Sequence, residues 1–108
     1  MSYKVVATAR FEKMAKRLAK KFPSLISDLT SLLRVLSATP AHGTPLGKNV
    51  DKIRLAIASK GKGKSGGTRV ISYVHISAET VYLLAIYDKS EVAAISDREI
   101  LRMLGDLP

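Results

Sequence analysis

Residues 50–87 read VDKIRLAIASKGKGKSGGTRVISYVHISAETVYLLAIY, three strand-like runs separated by two turns. In the first, residues 50–59, Ile53, Leu55 and Ile57 alternate with Lys52 and Arg54. That period of two predicts a strand with one buried face and one basic face. In the second, residues 68–76, Val70, Ser72, Val74 and Ile76 take one face. Arg69, Ile71, Tyr73 and His75 take the other. The third, residues 80–87 (TVYLLAIY), is the most apolar run and predicts a central, buried strand. Residues 77–79 form a hairpin turn between the last two, so the three strands make an antiparallel meander.

Upstream the period changes. Residues 3–8 (YKVVAT) are a short β-branched run and predict a first strand at a sheet edge. From 10 to 22 the apolar positions Phe11, Met14, Ala15, Leu18, Ala19 and Phe22 recur at steps of three and four. That is one helix face, with Lys13, Lys16, Arg17, Lys20 and Lys21 opposite. Pro23 ends this helix, and Pro23 with Ser24 starts another. Leu25, Ile26, Leu29, Leu32, Leu33 and Leu36 are its apolar stripe. The short turn makes the two an antiparallel helical hairpin. Residues 39–49 (TPAHGTPLGKN) contain two Pro and two Gly and read as a loop. Near the C-terminus, Ser96 or Asp97 caps a short helix, ISDREILRML, with Glu99 in its first turn. The order β-α-α-β-β-β-α predicts an α+β fold over residues 1–108 as a single domain. It has a twisted, mainly antiparallel sheet, a two-helix hairpin packed on one face and a short C-terminal helix.

Charge narrows the function. Lys and Arg number 18 against 9 Asp and Glu, a net charge of +9 over 108 residues. Such an excess favours nucleic acid, an anionic membrane surface or an acidic protein partner. The membrane reading is weak, because the apolar face of the first helix serves as a core stripe and no stretch approaches a membrane span. There is no cysteine, which removes disulfides and thiolate metal sites and suits a cytoplasmic location. The opening MSYKVVATARFEK lacks the apolar run of a signal peptide. The two histidines, His42 and His75, are far apart in sequence and form no metal-ligand cluster, so neither metal nor cofactor is expected.

The most distinctive segment is KGKGKSGG at 60–67. Its glycines let backbone N–H groups approach a phosphate, and Lys60, Lys62 and Lys64 add mobile charge. It is not a nucleotide-binding P-loop, because the glycines fall at the wrong spacing. A solvated hairpin loop is the plainer reading. Arg69 follows on a strand; its guanidinium can grip a phosphate through two bonds, or pair structurally with Asp88 or Glu91. Tyr87, Asp88 and Lys89 sit where the apolar run ends. A tyrosine there can stack on a base, transfer a proton, or simply close the core edge.

Taken together, residues 44–74 (TPLGKNVDKIRLAIASKGKGKSGGTRVISYV) and 81–91 (VYLLAIYDKSE) resemble the RelE/ParE superfamily of toxins from type II toxin–antitoxin modules, closest to its HigB-like, RelE-type branch. FEKMAKRLAKKFPSL, at 11–25, looks like that family's two-helix opening. The resemblance implies a ribosome-dependent, metal-free mRNA endonuclease in which the 2′-OH attacks the adjacent phosphate and expels the 5′-oxygen. It implies Arg69, Tyr87 and Lys89 as catalytic residues. Arg69 would face the transition-state phosphate, and Tyr87 and Lys89 would flank the scissile group. Lys62 and Lys64 would hold flanking phosphates, with Lys60 and Arg54 in support. Crowded lysines repel one another, which makes a neutral amine easier to reach and offers a base. Asp51 stands where a neutral or aromatic residue is expected before Lys-Ile-Arg, and is expected to pair with Lys52 or Arg54. The implied partners are the ribosome, its mRNA and a cognate antitoxin whose acidic segment covers the basic face or displaces the C-terminal helix. Two other readings fit the same residues: a ParE-like inhibitor of DNA gyrase, and a non-catalytic RNA-binding module.

Overall fold

The fold is described from a computed structural model, covering residues 2–60, 67–92 and 94–107. Five strands and three α-helices follow in the order β1 (Lys4–Ala7), α1 (Ala9–Lys21), α2 (Leu25–Ala38), β2 (Thr44–Gly47), β3 (Val50–Leu55), β4 (Thr68–His75), β5 (Thr80–Asp88) and α3 (Asp97–Gly105). They form one mixed sheet of order β1-β5-β4-β3-β2. β1 runs parallel to β5, and every other pair is antiparallel. The α+β fold and the meander read from the sequence are both present.

The helices begin where local chemistry lets them. Thr8 caps α1: its hydroxyl accepts the Phe11 N–H at 3.2 Å and donates to the Leu83 carbonyl of β5 at 2.9 Å. One threonine thus satisfies an orphan donor and ties the helix to the sheet. Ser96, rather than Asp97, caps α3 by accepting the Glu99 N–H. Ser24 precedes α2 but spends its hydroxyl differently. It bonds Asp28 and Ser59, and accepts the Ser59 N–H at 2.8 Å; the Ala58 N–H reaches Asp28. The chain leaving β3 is therefore clamped to the start of α2.

Each face of the sheet carries its own core. On one, Phe11, Ala15 and Leu18 of α1 and Leu25, Leu29, Leu32 and Leu36 of α2 pack on Ile53, Leu55, Val70, Val74, Val81, Leu83 and Ile86. On the other, Ile100 and Met103 of α3 pack on Val50, Ile71, Leu84, Ala85 and Tyr87. The stripe read for α2 is too generous by two positions: Ile26 and Leu33 face outward, Ile26 59 % exposed.

Two departures from the sequence reading shape the site. Residues 44–47, read as loop, form the edge strand β2. Proline is tolerated on an edge strand, whose outer side needs no ladder donor. The β2–β3 turn is Lys48–Asn49, both with left-handed φ (55° and 63°), the backbone of a tight two-residue hairpin. Gly43 enters it at φ 101°; a Cβ there would stand 2.5 Å from the Lys52 carbonyl oxygen, so only glycine passes. Second, β5 is bulged. Ile71 pairs with Ala85 and Ser72 with Leu83, which leaves Leu84 as the extra residue. Leu84 and Ala85 then both join the α3-side core, and alternation resumes shifted by one.

Candidate functional site

The bulge decides where Tyr87 points. In strict alternation Val81, Leu83, Ala85 and Tyr87 would share the α1/α2 face. Shifted by one, Tyr87 joins the α3 face and Asp88 turns away. Tyr87 now stands opposite Arg69 of β4, and Arg69 stands opposite Arg54 of β3. Directly opposed residues in antiparallel strands point to the same side. Arg54, Arg69 and Tyr87 therefore form one row across three strands. Lys52 lies on that side one step along β3, opposite Thr44 and Ile71.

Residues distant in sequence gather at this end of the sheet. Lys89 follows β5, and its N–H donates to the Gly67 carbonyl at 2.7 Å. Both flanks of the basic connection are thus held: Ala58 and Ser59 by α2, and Gly67 by Lys89. Lys62 and Lys64 lie outside the described residues, as does the side chain of Lys60. A cleft of about 380 Å³ opens here, lined by His42, Gly43, Thr44, Lys52, Ile53, Arg54 and Arg69.

The electrostatics of the row are one-sided. Arg69 is only 9 % exposed. Among the described residues its side chain makes one hydrogen bond, to the Thr68 carbonyl at 3.3 Å. The acids expected as its partners are engaged elsewhere. Glu91 takes Arg17 at 3.2 Å and Lys21 at 3.9 Å, and Asp88 accepts from Thr68 at 3.1 Å and from Ser90. Among the described residues no carboxylate pairs with Arg69. Burying a cation without a counter-ion is costly, and an incoming anion relieves that cost.

Tyr87 is 2 % exposed, with its ring in the α3-side core. A base cannot lie on a buried ring, so the stacking expected of Tyr87 does not fit this geometry. Burial pushes its hydroxyl above the ordinary tyrosine value, and the Arg69 charge pulls it part of the way back. It is a protonated hydroxyl at neutral pH, suited to donating a hydrogen bond or a proton.

Asp51 does not pair with Lys52 or Arg54. It points to the opposite face, buried, with its carboxyl raised by desolvation and held back by the His42 backbone N–H and the His42 charge. The basic row is thus spared the Asp51 charge. Lys52 and His42 are the residues that sequence reasoning left out of the site. The alternation of Lys52 with Arg54 carried the signal for the first; His42 needed the pairing of β2. Among the described residues no group of His, Asp or Glu is arranged to hold a metal ion, and no helix is long and apolar enough to cross a membrane.

Comparison with known proteins identifies relatives of the whole fold. The family model described as "RelE toxin of RelE / RelB toxin-antitoxin system" matches residues 3–104. Among solved structures, a double Arg-to-Ala mutant of E. coli toxin RelE in the free state superposes with a TM-score of 0.65 at 13% identity, covering 100% of both chains. A metal-bound toxin from Helicobacter pylori aligns at 19% identity over 83% of this chain and 98% of that one, with a TM-score of 0.46.

Proposed function

The chain belongs to the RelE toxin family, and from that premise we propose that it is a ribosome-dependent endoribonuclease that cuts mRNA and halts translation. The observation that supports this best is Arg69, a nearly buried guanidinium with no carboxylate partner among the described residues, beside a protonated tyrosine and in line with Arg54. A site so arranged attracts a phosphodiester and has most to gain as negative charge grows on it.

In the proposed reaction the 2′-oxygen bonds to the adjacent phosphorus while the bond to the 5′-oxygen breaks. The products are a 2′,3′-cyclic phosphate and a 5′-hydroxyl. The proton leaving the 2′-OH passes to a basic amine, for which Lys89, just beyond Tyr87, is the candidate. Arg69 neutralises the phosphorane oxygens, and Tyr87 supplies the proton to the departing 5′-oxygen. Lys52 and Arg54, with Lys60, Lys62 and Lys64 of the connection, hold flanking phosphates of the single strand. The cognate antitoxin would oppose this basic face with an acidic segment.

Induced expression tests the proposal against a gyrase-directed toxin of the same superfamily. Growth arrest with loss of protein synthesis and unchanged plasmid supercoiling supports mRNA cleavage. Arrest with intact mRNA and altered supercoiling overturns it. Salt-sensitive RNA binding without cleavage on ribosomes would leave only a binding module.

A further inference from the structure

The Arg54–Arg69–Tyr87 row occupies one end of the α3-side face, and the other end carries three rings. Tyr73 on β4 stands opposite Tyr82 on β5. Their rings are nearly parallel, 19° apart, with centroids separated by 6.3 Å. His75, two residues along the same face, has its ring 6.0 Å from that of Tyr73. All three are half-buried, so part of each ring meets solvent. With Lys48, Leu104 of α3 and Leu107 just past it, they line a cleft of about 320 Å³. Among the described residues no carboxylate side chain lines it. Lys48 holds the left-handed backbone at φ 55°, where asparagine or glycine is the ordinary choice, so a cation is kept at this turn against its conformational preference.

We propose that this cleft is a second RNA contact, in which the Tyr73, Tyr82 and His75 rings stack an unpaired base and Lys48 meets its phosphate. The inference rests on the RNA-directed reading above. Aromatic side chains displayed on a sheet surface are a general means of holding splayed bases, because every base offers a π-face. The packing of Leu104 and Leu107 explains an apolar floor but neither the clustered half-exposed rings nor the cation. Along β4 the cluster lies four residues from Arg69, about 13 Å by strand rise. α3 covers Ile71 and Leu84 between the two, so the cluster is a contact separate from the arginine row.

The test is an NMR titration of the whole chain with adenosine 5′-monophosphate, with ribose 5-phosphate as the base-free control. Ring resonances of Tyr73, Tyr82 and His75 are expected to shift saturably with the nucleotide alone. Tyr73→Leu and Tyr82→Leu should weaken binding about five- to tenfold, and Tyr73→Phe and Tyr82→Phe should keep it, since stacking needs the ring and not the hydroxyl. The Phe variants and the wild-type shifts decide the matter even where a Leu variant folds poorly. Equal shifts with ribose 5-phosphate, or shifts confined to the Arg69 end, overturn the proposal. Ring shifts in a protein that cuts no mRNA would sink the endonuclease reading and leave the base seat standing.

Discussion

Arg69 and Tyr87 face each other across β4 and β5, and they share a side of the sheet only because Leu84 is an extra residue in β5. The pairing couples them electrically. The Arg69 charge lowers the proton affinity of a hydroxyl that burial has raised. Arg69→Gln should therefore move the Tyr87 titration further upward, read from its ring resonances by NMR. An unmoved Tyr87 would mean that the guanidinium is not beside it.

Asp51 gives stability a pH dependence of known sign. Its folded-state carboxyl is raised by burial, so the folded chain holds that proton more tightly than the unfolded chain. The associated stability is present in acid, below the ordinary carboxylate value, and is lost as pH rises through the raised value. Asp51→Asn should remove this loss, narrowing or reversing any deficit against wild type as pH rises toward neutrality. Denaturant melts of both chains across that range would show it; parallel curves would refute it.

Gly43 is where the cleft wall depends on a missing side chain. Gly43→Ala would place a Cβ against the Lys52 carbonyl in a left-handed backbone. A cost of roughly 1–3 kcal/mol is expected in chemical denaturation. Because the displaced strand carries Lys52, RNA affinity should fall with it.

Leu18, Leu25 and Leu36 are fully buried beneath the helical hairpin. Truncating any one to alanine should cost about 2–5 kcal/mol, the usual range for a core leucine that leaves a cavity. By contrast, Glu91→Gln removes an exposed ion pair with Arg17 and should cost about 1 kcal/mol or less. Thermal melts would separate the two classes.

Much of the fold was legible because the periods of the chain are clean. Residues 52–55 alternate basic and apolar, and α1 repeats its apolar residues at three and four. What stayed hidden had physical reasons. Pro45, Gly43 and Gly47 look like strand breakers, yet an edge strand tolerates them, and a Lys48–Asn49 turn lacks the glycine that usually marks a hairpin. The bulge at Leu84 could not be read from TVYLLAIY, where both faces are apolar and no polar residue reports the phase. The basic charge of the site was visible in composition. Arg69's burial with no carboxylate partner among the described residues was not, since it depends on Glu91 reaching Arg17 and Asp88 turning to Thr68.

The most direct test is cleavage mapping of ribosome-bound mRNA with the wild-type chain and Arg69→Gln. Cuts ending in a 2′,3′-cyclic phosphate are expected from wild type, slowed by on the order of 10²–10³ in the variant. Intact mRNA with the folded wild type, or equal cutting by both chains, would contradict the account.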